Sequence, residues 1–139
     1  MQTTDEAETV RSMIKAENEF ANHRLGWMNT INGLLFAGVA FAWGKVNASL
    51  IIGLFCVFGI FVCLTTFGGV VAAVRALLRQ FDWWERNKPK DYSGPEVIGI
   101  PPPVNGFLRY LLAPQLHPPL IFMMAWVAIL VVAAKHAQP

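Results

Sequence analysis

Three runs of apolar residues organise the chain, at residues 25–43, 50–78 and 118–134, and the segments between and before them carry most of its charge. As helix, residues 25–43 span about 28 Å, close to the thickness of a bilayer's hydrocarbon core, and predict a first transmembrane helix. The connection GKVNAS at 44–49 is short, so the second run must be the antiparallel neighbour of the first. Residues 50–78 would reach about 43 Å as helix, more than a bilayer needs, which predicts a tilted second span or one with a cytoplasmic extension. Residues 118–134 contain no charge and no amide, and Pro118 and Pro119 suit the first turn of a third span. With nothing polar to offer, this span is expected to face lipid or to fill space behind the other two.

Polar positions refine the first element. Residues 1–24 form an amphipathic helix continuous with the first span, with Val10, Met13, Ile14, Phe20 and Ala21 as its apolar positions. At 100° per residue Arg11, Lys15, Asn18, Asn22, Asn29 and Asn32 fall within one arc, continued by Phe36, Ala40 and Trp43. Lipid offers an amide no hydrogen-bond partner, so this stripe is expected to face other helices or a wet cavity. Two roles suit it. Asn22, Asn29 and Asn32 can line an axis as stacked rings of neutral dipoles with Phe36 as an apolar constriction, or they can bond between helices and fix register. On the second span Gly59 and Cys63, then Thr65, Gly69 and Ala73, recur at four-residue spacing, the pattern that lets helix backbones approach closely in lipid.

Between the second and third runs, residues 79–117 turn to charge, Gly and Pro, including DYSGP at 91–95 and GIPPP at 99–103. Proline runs disfavour helix and set an extended path. Val104, Phe107, Leu108, Leu111 and Leu112 then predict a short interfacial helix over 104–113. Pro101, Pro102 and Pro103 suit either a ligand for a cytoplasmic partner or an arm wrapping a neighbouring subunit.

A chain of 139 residues, 55% apolar and 14% charged, with mean hydropathy +0.44, is too hydrophobic for an ordinary soluble domain and has no room for a second one. Its net charge of +2 implies no nucleic-acid partner. The distribution of charge says more. Of the eleven basic residues, all but Lys45 and Lys135 lie before the first run, at the far end of the second (Arg75), or between the second and third. The positive-inside rule then places the N-terminus and the long loop in the cytoplasm and the C-terminus outside. Asp5, Glu6, Glu8, Glu17 and Glu19 precede the first run, which reads as a permanent anchor rather than a cleaved signal.

Candidate chemistry is sparse. Cys56 and Cys63 stand seven apart, too far for a bridge within one helix, and read as small packing residues. Glu19 with His23, or His23 with His117, follows no specific ligand pattern, so no metal or other cofactor is expected. No nucleophile and base pair, phosphate-binding loop or Gly-rich cofactor turn appears, and the chain is not read as an enzyme. His23 beside Glu19 and Arg24 can change charge between about pH 5 and 8, which makes a pH-sensitive contact a minor alternative.

The segment ENEFANHRLGW at 17–27, of the form E-N-x3-N-H-R-x2-W, leads into GLLF at 33–36. It resembles the stretch opening the first span of small bacterial inner-membrane proteins, among them the RipA-type oligomeric membrane proteins. PPLIF at 118–122 followed by Trp126 is similar to them too. The resemblance implies a bacterial cytoplasmic membrane and homo-oligomers, and it carries no catalytic role to Glu17, Asn18, Asn22, His23, Arg24 or Trp27.

The expectation is therefore an all-α integral membrane protein of three spans that assembles with itself, in a ring or otherwise, as a channel-like or scaffold complex. Its subunit contacts are expected at Glu17, Asn18, Glu19, His23, Arg24 and Trp27 and on the small-residue face at Gly59, Cys63 and Gly69. The alternative is a membrane-anchored adaptor that recruits a cytoplasmic protein through its N-terminal helix and Pro-rich loop.

Overall fold

The computed structural model describes residues 2–94 and 113–136, and the regular elements among them are all helical. They are α1 (Gln2–Ala42), α2 (Ala48–Asn87) and α3 (His117–His136), the last entered directly from a 3₁₀ turn at Pro114–Leu116. All three α-helices lie in segments long and apolar enough to cross a membrane.

No proline interrupts α1 or α2. Each runs for about 60 Å, roughly twice the thickness of a hydrocarbon core. Gly44 at φ 76° ends α1 in the left-handed conformation, and Asn47 at φ 62° opens α2. Both are residue types that enter this region at low cost, which makes a reversal of a few residues feasible. Lys45 N–H donates to Ala42 O and Ala48 N–H to Lys45 O, closing the turn.

The sequence ends the second apolar run at Leu78 and begins a loop at 79, whereas the helix continues to Asn87. Its buried side persists through Val70, Val74 and Leu78 to Trp84, and Trp84 is covered by Ala7 and Val10 of α1. The change of composition at 79 marks where the helix becomes charged, and charge alone does not stop a helix. What stops it is Pro89, whose ring excludes the preceding Lys88 from helical geometry; Lys88 has ψ 135°.

α1 and α2 form an antiparallel hairpin. Facing pairs include Gly38 with Phe55, Asn32 with Cys63, and Arg24 with Gly69. α3 packs on the apolar half of α2 and hardly meets α1. Met28, Val39, Ile52, Cys56, Cys63 and Trp126 make the core shared by the three helices. Further along, Ala113 and Leu116 at the head of α3 close over Val70, Val74 and Leu78. Beyond that level α1 and α2 continue, alone among the described helices, as a two-helix stalk, held by Ala7, Val10 and Trp84 with Ile14 and Tyr92 at its margin. The predicted interfacial helix over 104–113 and Pro101, Pro102 and Pro103 lie outside the described residues, apart from Ala113, which is extended and buried.

Candidate functional site

Two polar loci stand out on α1. The first is Asn32, fully buried in the apolar half of the hairpin. An amide there needs partners, since burial without them costs about 1–3 kcal/mol. Its Oδ1 accepts from Trp126 Nε1 at 2.6 Å and from the Cys63 thiol at 3.7 Å, and its Nδ2 donates to Met28 O at 2.8 Å, one turn back. Gly59 makes the arrangement possible, because a Cβ there would overlap the indole of Trp126. Phe36 stacks on the same indole, with ring centroids 4.3 Å apart and planes 19° apart, and Phe122 continues the stack at 5.8 Å from Phe36.

This cluster changes several expectations. Asn32 and Phe36 are engaged within the subunit, so the geometry does not place them around an axis. α3 is not without polar capacity, since Trp126 supplies the N–H that Asn32 accepts. Gly59 and Cys63 receive Trp126 and Asn32, and Gly69 receives Arg24, whose Nη1 donates to Gly69 O at 2.9 Å. At Gly59, Cys63 and Gly69 the small-residue face of α2 therefore receives side chains of its own chain. A sequence signal for Trp126 existed, because an indole N–H in an otherwise apolar span needs an acceptor.

The second locus is the outward side of α1 around the level of Arg24. Asn18, Asn22, His23, Trp27, Asn29 and Thr30 are exposed there, while Glu17 is half-buried. Trp27 Nε1 donates to His23 Nε2 at 3.1 Å, the two rings meeting edge to face. That bond occupies one of the two histidine nitrogens that a metal would use. Gln115 Nε2 donates to Asn18 Oδ1 at 3.3 Å and ties the head of α3 to α1. Glu19 pairs only loosely with Lys15, at 3.8 Å between exposed groups. Thr30 Oγ1 donates to Gly26 O within its own helix. Asn22 and Asn29 have no hydrogen-bond partner among the described residues. Glu19, Asn22, His23, Gly26, Trp27 and Thr30 line an open groove along this side.

A further feature escaped the sequence reading. At the far end of the stalk Glu6, Thr9, Val10, Met13, Arg79, Gln80 and Trp83 line a groove between α1 and α2. Beside it Arg11 donates to the Tyr92 hydroxyl at 2.8 Å, and Tyr92 meets Trp84 edge to face at 5.2 Å. Trp84 Nε1 and Gln80 Oε1 are buried without a partner among the described residues. No group of three metal-ligating side chains occurs among the described residues. Neither a protein-family model, nor a curated protein, nor a solved structure matches this chain.

Proposed function

We propose that the chain is a subunit of a homo-oligomeric assembly in the bacterial cytoplasmic membrane, channel-like or scaffold in character, with its N-terminus and stalk in the cytoplasm. The outward side of α1 meets neighbouring copies or a hydrated axis. The observation that carries this reading is Asn29. Its amide is exposed, and it lies about 7 Å beyond Arg24 into the apolar half of α1, where lipid would leave it unbonded. A second subunit or a wet lumen satisfies it. The distribution of basic residues supports the orientation, and the resemblance of residues 17–27 supports the membrane and the self-assembly.

Native mass spectrometry with two-dimensional particle averages in nanodiscs tests the reading. An oligomer is expected, and a monomer overturns it. If the oligomer encloses a hydrated axis, Asn29→Leu should abolish ion flux while leaving the mass unchanged. Flux that persists in this variant would show that Asn29 does not line the conduit, whereas a wild-type assembly without flux points to a scaffold.

The stalk favours a second reading, a membrane-anchored adaptor, because two helices carried clear of the apolar half present an apolar groove with Arg79 at its rim. Trp83→Ser would then release a cytoplasmic partner without changing the mass of the assembly.

A further inference from the structure

Met13, Phe20, Trp27, Leu34 and Phe41 follow one another along α1 at intervals of seven, and each is more than half exposed. They form a single stripe about 42 Å long, set apart from Met28 and Asn32, with Met13 also at the edge of the groove that α1 makes with α2. Three residues after each of the first four stand Ala16, His23, Thr30 and Ala37, also exposed. A repeat of seven with a large residue and then a smaller one is the seam of a left-handed coiled coil.

What could cover such a stripe is restricted by its length. Leu34 and Phe41 lie in the apolar half of the helix, where lipid covers them as it covers Leu54, Phe58 and Phe61 of α2. Met13 and Phe20 lie on the stalk among Lys15, Glu17 and Glu19, beyond the level of Arg24, where a cover of lipid would have to take in those charges. A soluble partner would cover only the stalk half. A second α1 makes the same passage from water to lipid at the same level and covers the whole stripe.

Charge and size fit this occupant as well. Copies inserted in one orientation have parallel α1 helices. In a parallel pair in register, the position before each large residue faces the position four after it on the other helix. Around Phe20 these are Glu19 and Arg24, of opposite charge. Arg24 uses one N–H on Gly69 and has others free to donate. In the apolar half the positions equivalent to Glu19 are Gly26 and Gly33, and a Cβ at either would meet nothing within 4 Å. Glycine there lets two backbones come close.

We propose that α1 packs against α1 of a second copy, parallel and in register, along Met13, Phe20, Trp27, Leu34 and Phe41. One unbroken helix–helix seam then runs from the stalk into the bilayer. The inference rests on the homo-oligomer reading and names the face that makes the pair. Asn29 is off this seam and remains available for a second kind of contact.

Single-cysteine crosslinking in native membranes tests the seam, since Cys56 and Cys63 are fully buried and do not compete. Ala16→Cys, Thr30→Cys and Ala37→Cys should each give a disulfide-linked dimer on mild oxidation. Leu54→Cys, on the exposed face of α2 and off the seam, should not. Adding Phe20→Glu to Ala16→Cys should remove the dimer band. Crosslinking at residue 16 without crosslinking at 30 and 37, or equal crosslinking on all faces, overturns the proposal. If no seam position crosslinks while native mass still shows an oligomer, the seam fails and the homo-oligomer reading stands. A monomer by native mass removes both.

Discussion

Trp126 and Asn32, 94 residues apart in the chain, meet at 2.6 Å through an indole N–H and an amide oxygen. This bond joins α1 to α3 beside the stack of Phe36 on Trp126, and Cys63 of α2 contributes to the same oxygen. One buried amide thus fixes how three apolar helices sit against one another, which apolar contacts alone specify poorly.

Removing either partner leaves the other buried and unbonded. Asn32→Leu and Trp126→Phe should each lower the stability of the detergent-solubilised protein by about 1–3 kcal/mol. The double variant should lose less than the sum of the two, by about 0.6 kcal/mol and at most about 1.7, the average and maximum for polar pairs between membrane helices. Thermal unfolding of the four proteins checks this, and strictly additive losses would contradict the pairing.

Three glycines of α2 should respond to alanine in a fixed order. Gly59 lies under the indole of Trp126, so Gly59→Ala forces a rigid ring to move and should cost about 1–3 kcal/mol. At Gly69 the obstacle is the end of the Arg24 side chain, 2.8 Å from a Cβ, which can swing aside at the loss of its bond to the Gly69 carbonyl. That loss is worth about 0.5–1.5 kcal/mol. Gly53 has nothing within 4 Å of a Cβ, and Gly53→Ala should be neutral or stabilise by up to about 1 kcal/mol. Melting temperatures of the three variants give the order.

The stalk depends on Trp84, buried against Ala7 and Val10. Trp84→Ala should weaken it by about 3–5 kcal/mol. Trp84→Phe keeps most of the apolar area and removes an N–H that lacks a partner among the described residues, so it should cost far less. Hydrogen exchange localises the effect: amides of residues 6–14 and 78–87 should lose protection in Trp84→Ala, while those of 28–39 keep it.

Both thiols lie in the shared core with no exposed surface. A maleimide should therefore label neither Cys56 nor Cys63 in the folded protein and both after denaturation. Rapid labelling of Cys63 in the folded state would show that the contact between Asn32 and α2 opens.

The three apolar segments, the hairpin made by the first two, and the continuity of α1 from its polar start into its apolar half follow from hydropathy and spacing. The partners of each face do not. Gly59, Cys63 and Gly69 announce that something packs closely on α2, but the same spacing serves a neighbouring subunit and the chain's own Trp126, Asn32 and Arg24 equally well. Only the register of the folded hairpin distinguishes them. The extent of α2 was misjudged for a related reason. Residues from 79 onward read as a loop from their charge, whereas Trp84 continues the buried row of Val70, Val74 and Leu78. Of the polar stripe on α1, Asn32 faces inward while Asn22 and Asn29 stay outside, because at 100° per residue they sit about 80° and 60° round the helix from Asn32, past the edge of the buried row Ala21, Met28, Asn32 and Val39.

The length of α1 has a mechanical consequence. Residues 2–24 form a rod about 33 Å long, continuous with the part of the helix read as spanning the bilayer and braced at their junction by Arg24 on Gly69. Helices longer than the hydrocarbon layer adjust to its thickness by tilting. Without a break in α1, a tilt of about 10° carries the N-terminal tip about 6 Å sideways. In a chain that spans a bilayer as proposed, a change of bilayer thickness would therefore move the tip of this rod about its brace at Arg24.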